Sequence, residues 1–182
     1  MQHVAKDFSS LKGTLEGFSD KQLDAHFGLY NGYVAKLNEI EEKLKTADRS
    51  KANYSYAEYS ELKRRECTAF NGTYLHQLYF ENLSGKGGEA SDALKRAVTA
   101  SFGSWDAYLA DLKGSAGSTP GWVLTTRSRV DGMLHNYVMF EHHVGFPVHQ
   151  DVVLALDCWE HAFFIDYGAK KADYLGAFLK NV

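Results

Sequence analysis

Apolar residues recur at intervals of three and four through Leu23, Phe27, Tyr30, Val34, Leu37 and Leu44, which predicts one amphipathic helix over residues 20 to 47. Ser19-Asp20 supplies its cap, and the mixed charges of Glu39-Ile40-Glu41-Glu42-Lys43-Leu44-Lys45 mark its solvated face. A polar break follows over residues 46 to 54. Periodic apolar positions then resume over residues 55 to 83, with Tyr59, Leu62, Cys67, Phe70, Leu75, Tyr79, Phe80 and Leu83 expected mainly inward. Two long helices with a short polar connector pack most economically as an antiparallel hairpin. Gly85-Lys86-Gly87-Gly88 is the clearest break in the chain, and it sets the expected boundary between a helical domain, 1 to 85, and a second domain, 86 to 182.

Beyond the boundary, residues 89 to 101 and 104 to 114 read as shorter helices separated by Phe102-Gly103. The β-prone runs Trp122-Val123-Leu124-Thr125-Thr126 and 133 to 140 flank a Val-Asp-Gly turn and read as a hairpin. Val152-Val153-Leu154-Ala155-Leu156 is an unbroken apolar run, the pattern of a buried strand, and residues 169 to 180 read as a closing helix. The expected class is α+β: an N-terminal antiparallel helical hairpin, then an α/β domain with a three-stranded antiparallel sheet. No internal repeat is visible. The glycine cluster lacks the spacing and the preceding strand of a phosphate loop.

Composition narrows the function classes. A chain of 182 residues that is 45% hydrophobic can bury a substantial core, and a formal charge of −3 argues against a nucleic-acid binder. The N-terminal stretch lacks an apolar signal region and no run reaches membrane-spanning length, so neither secretion nor a membrane is expected. Cys67 and Cys158 are far apart and form no CxxC, which points to free thiols and a cytoplasmic setting.

The chemistry concentrates where the third strand ends. Asp157 stands at the expected change from strand to helix, and His161 follows four residues later, a spacing that places an oxygen and an imidazole on one helical face. A capping aspartate and a core histidine would account for the same residues. Two further histidines lie on the long helices: His26 beside the apolar stripe of the first, and His76 one turn before Tyr79 and Phe80 on the second. In an antiparallel hairpin the start of one helix comes level with the end of the other, so these two can meet.

The string Asp157-Cys158-Trp159-Glu160-His161-Ala162-Phe163-Phe164 resembles the signature D-x-W-E-H-A-aromatic-aromatic of the iron/manganese superoxide dismutases. Similarity continues through Asp166-Tyr167 and Asp173-Tyr174-Leu175. His26-Phe27 with Tyr33-Val34, and His76 with Tyr79-Phe80 and Asn82-Leu83, resemble the family's first- and second-helix motifs. The resemblance implies that His26, His76, Asp157 and His161 hold one iron or manganese ion per subunit, with solvent completing the coordination, and that the substrate is superoxide. It implies that Tyr33 is the gateway tyrosine, although it stands one residue closer to His26 than the common pattern has it; Tyr30 competes for the role. It also implies a polar residue bonded to the coordinated solvent. The usual glutamine is missing, Gly72 stands four residues before His76, and counting along the strand puts His142 at the alternative position, with His143 as competitor. That histidine leans the metal toward iron or toward use of either metal. Trp122 and Trp159 are implied as walls of the cavity. A homodimer or homotetramer is implied with Glu160 at the interface, where Tyr30 and Phe164 replace the family's usual pair. Two other classes compete: a mononuclear zinc hydrolase built on the same residues, and a metal-free helical interaction module.

Overall fold

The computed structural model describes residues 2 to 182. The first long helix, α1 (Asp20–Thr46), begins where the Ser19 hydroxyl accepts from the Gln22 N–H at 3.1 Å; Asp20 lies in its first turn and Lys43 and Lys45 in its last, complementing the helix dipole. The second, α2 (Glu58–Asn82), runs back antiparallel to it. It starts three residues later than expected. Asn53 explains the delay, because its side chain bonds both the N–H and the C=O of Tyr56 and holds the chain in a turn that competes with helix. Cys67 is exposed, contrary to the inward placement the periodicity suggested. Phe70 is 44% exposed for the same reason: the buried stripe of α2 runs through Ala69, Gly72, Thr73, His76 and Phe80, one step round the helix. Phe70 instead packs on Tyr74 and on His3 of the N-terminal arm.

After the glycine-rich link come α3 (Asp92–Phe102) and α4 (Trp105–Gly117), each capped by a serine hydroxyl, from Ser91 and Ser104. Three strands follow, β1 (Trp122–Ser128), β2 (Leu134–Met139) and β3 (Gln150–Asp157), in the antiparallel order β2-β1-β3. The α+β class and the three-stranded sheet are as expected. Trp122 pairs with Met139 on one side and with Asp157 on the other, so the N-terminal end of β1 meets the C-terminal ends of both neighbours. The chain closes with α5 (Phe164–Tyr167) and α6 (Lys171–Lys180).

One buried cluster runs through both halves of the chain, joining Leu23, Tyr30, Tyr79 and Phe80 of the hairpin to Trp122, Leu124, Leu156, Tyr174 and Phe178. At roughly 1.5–3 kcal/mol for each large apolar side chain withdrawn from water, this shared core fixes the hairpin against the sheet. A smaller cluster of Leu37, Ile40 and Ala69 closes the far end of the hairpin by itself. The seam between hairpin and sheet is where the histidines lie.

Candidate metal centre

Asp157 ends β3 and is fully buried. Its backbone C=O accepts from the Tyr174 hydroxyl at 2.6 Å, and the Tyr79 hydroxyl lies 3.2 Å from that of Tyr174. A carbonyl can only accept, so Tyr174 spends its single proton on Asp157 and Tyr79 donates to Tyr174. The carboxylate is divided: Oδ1 accepts from the Trp159 N–H at 2.9 Å, and Oδ2 faces inward.

The run after Asp157 is not the single helix that its periodicity suggested. The Oδ1 contact makes an Asx turn, Trp159 stays extended, and a 3₁₀ turn over Glu160–Ala162 precedes the four-residue α5. Asp157 and His161 therefore converge through a strand end and a tight turn, not through a shared helical face.

Three imidazoles surround Asp157 Oδ2. His26 Nε2 from α1 lies at 3.1 Å, His161 Nε2 at 3.1 Å and His76 Nε2 from α2 at 3.5 Å. One donor atom from each residue fits within a group whose members all lie within 4.8 Å of one another. His26 and His76 are buried, while the His161 side chain remains 26% exposed.

The protons decide what such a cluster can hold. His76 Nδ1 sits 2.5 Å from the Gly72 C=O, an acceptor only, so His76 carries its proton there and points a lone pair from Nε2 at Asp157. Burial drives its pKa down to about 3, and it lowers that of His26 as well. Burial alone would raise the Asp157 carboxyl, but the facing His161 and His26 rings outweigh it and hold the group ionised, well below the usual carboxylate range. His76 Nε2 and His161 Nε2 face each other at 3.3 Å. Without a metal, His26 and His161 can face the carboxylate only as N–H donors; a cation at this buried point would replace those protons and draw one nitrogen lone pair from each ring together with the Asp157 oxygen. Imidazole nitrogens with one carboxylate suit iron, manganese or zinc, so the donor set fits a single metal ion.

Around this point the walls are polar in a specific way. Trp122 Nε1 donates to His142 Nδ1 at 2.8 Å, and His142 Nε2 lies 2.7 Å from the Tyr33 hydroxyl. An indole nitrogen can only donate, so His142 Nδ1 is unprotonated, the neutral ring carries its proton on Nε2, and it donates to the Tyr33 oxygen. The Tyr33 proton is left free to point elsewhere. Burial lowers the His142 pKa, in keeping with the neutral ring. The Tyr33 ring stacks on His76 at 5.4 Å, and Trp159 stacks on His161 at 6.2 Å. Tyr30 lies elsewhere: its hydroxyl accepts from the Lys6 N–H of the N-terminal arm. His143 turns away too, its ring meeting Thr68 on the exposed face of α2.

Several residues that tie the site together were not picked out by the sequence for that role, although Asn82 lies within the second-helix motif. Asn71 Nδ2 donates to the His142 C=O at 2.6 Å and ties the loop after β2 to α2. Asn82 Oδ1 accepts from the Ala155 N–H at 3.0 Å and ties α2 to β3. Gln22, buried on α1, bonds the main chain around His161. For Gln22 the available signal was a polar residue one turn before His26 on the apolar stripe.

Comparison with known proteins agrees with this geometry. The family model for the C-terminal domain of iron/manganese superoxide dismutases matches residues 90–182, just over half of the chain. The superoxide dismutase (Fe) of Aquifex pyrophilus is 41% identical over 173 residues, covering 92% of this chain and 81% of that protein. That of Cupriavidus metallidurans is 39% identical over 190 residues, covering 100% and 92%. The superoxide dismutase (Mn) 2 of Haloferax volcanii is 32% identical over 154 residues, covering 84% and 76%. The chain belongs to the iron/manganese superoxide dismutase family.

Proposed function

We propose that the protein is a superoxide dismutase, converting superoxide to oxygen and hydrogen peroxide, with His26, His76, Asp157 and His161 as ligands of one iron or manganese ion. The observation that carries this reading is the convergence of three imidazole nitrogens on one buried carboxylate oxygen. When bound, the ion supplies one-electron chemistry, taking an electron from one superoxide and returning it to the next.

The chain's own residues govern protons and access. Peroxide formation consumes two protons for each molecule made, and in this reading the Tyr33 hydroxyl delivers one at the mouth of the site. Its oxygen is already occupied by the His142 Nε2–H, which leaves the O–H proton directed away from His142. Trp122 holds His142 in the donating tautomer. The aromatic faces of Trp122 and Trp159 exclude bulk water from the donor atoms, and low polarity there strengthens each remaining interaction.

His142, standing where the family's usual glutamine would, leans the metal to iron or to use of either metal; the relatives include both iron and manganese enzymes. A zinc hydrolase on the same residues has no support from the relatives. The protein works as a homodimer or homotetramer with Glu160 at the interface. In support, Glu160 forms no ion pair or side-chain hydrogen bond among the described residues, and its neighbours Phe164 and Ile165 are 54% and 45% exposed. The hairpin and the α/β half are read as two domains divided at residue 85, and the cytoplasm is read as the compartment, since both cysteines are free.

The decisive experiment is metal analysis of the purified protein with superoxide consumption measured after separate loading with iron and manganese. Consumption above the free-metal background in at least one form is expected, and its absence in both would overturn the reading. Asp157→Ala is expected to abolish metal retention and activity together.

A further inference from the structure

We propose that Gln22 is a positioning residue that sets the separation of two metal-facing imidazoles, an inference that rests on the metal-centre reading above. Gln22 stands on α1 one turn before His26, so its amide and the His26 ring share a helix face. It is 1% exposed. Both ends of the amide are spent on the segment that bears His161: Nε2 donates to the His161 C=O at 2.6 Å, and Oε1 accepts from the Ile165 N–H at 3.0 Å.

That segment has little structure of its own. The 3₁₀ turn and α5 are three and four residues long, and neither has a side-chain cap. Its other ties to the start of α1 are the Ser19 N–H to Asp166 Oδ2 and the Tyr167 hydroxyl to the Gly17 C=O, which lie at the exposed far end. α1 thus carries one donor ring directly and, through Gln22, the backbone of another. The two rings come to rest 5.2 Å apart. An amide that bonds two main-chain groups at once admits only one spacing of helix and turn. A hydrocarbon in its place leaves a C=O and an N–H without partners, and the turn must shift to recover them.

The test uses the iron-loaded protein, following iron release to an excess chelator and the visible absorption of the bound iron. Gln22→Leu is expected to release iron roughly ten- to a hundredfold faster than the parent and to shift the absorption, as loss of a partner outside the ligand shell commonly does. Gln22→Glu, which keeps the acceptor for Ile165 but loses the donor to His161, is expected to fall between and serves if Gln22→Leu does not fold. Leu37→Ala, in the separate cluster at the far end of the hairpin, controls for general destabilisation and is expected to release iron at the parental rate. Parental release and spectrum in both Gln22 variants overturn the proposal, as does release from Leu37→Ala as fast as from the Gln22 variants. A parent protein that retains neither iron nor manganese overturns the metal-centre reading itself, and this inference with it.

Discussion

Gly72 shows how one missing side chain shapes the centre. A Cβ built there would lie 2.5 to 2.8 Å from three atoms of the Tyr33 ring, with no room for the ring to keep its contact with His142. Gly72→Ala is therefore expected to cut superoxide consumption roughly ten- to a hundredfold while metal content stays at the parental level, because the loss is one of position. Parental activity in that variant would remove Tyr33 from the mechanism. If Tyr33 delivers the proton as proposed, it also sets an alkaline limit. Burial first, and then the negative charges of Asp157 and Glu141, raise its pKa above the ordinary 10.0, so the proton-bearing form persists to higher pH than a free tyrosine allows. Activity should decline only above about pH 10, and Tyr33→Phe should flatten that decline; an unchanged alkaline limb in the variant would assign it to another group. In the sequence, Gly72 could be read only as the lack of a glutamine. Its steric purpose exists only once two helices are brought together.

At the level of elements, the helices and strands were legible because their apolar periodicities are long and regular, and most of their ends fell within two or three residues. What escaped was side-chain competition with the backbone: Asn53 delays α2, and Asp157 turns an expected helix into a 3₁₀ turn. The ties between elements were less legible: Asn71 left no trace, and Asn82, although part of the second-helix motif, gave no sign of the backbone group it bonds. Asn82 is one such tie. The Ala155 N–H it satisfies belongs to β3, an edge strand of the sheet, and points away from β1 into a buried environment. Asn82→Ala should cost about 1–3 kcal/mol, the penalty for a buried donor left without a partner. Denaturant unfolding of the variant checks this, and a midpoint equal to the parent's would mean that the N–H finds another acceptor.

For the molecule as a whole, the cluster links stability to pH in the metal-free protein. His76 is held neutral when folded, with a pKa of about 3, and returns to about 6.5 when unfolded. The unfolded chain therefore binds more protons between those values, and stability contributed by the neutral ring is present above pH 6.5 and is lost as pH falls toward 3. Metal-free protein titrated from pH 7 to pH 4 should lose stability progressively, and a His76→Gln variant should lose less over the same range; equal slopes would place the acid sensitivity elsewhere. The separations along the chain carry one more consequence, for the order of events at birth. His26 and Asp157 are 131 residues apart, and His76 and His161 are 85 apart. An ion held between them acts as a cross-link over long loops, a constraint that costs the unfolded chain far more entropy than the folded one. No growing chain can assemble this centre until the segment bearing Asp157 and His161 has emerged. Metal supply during folding is therefore expected to influence which ion is held, and refolding with iron and with manganese supplied separately checks this.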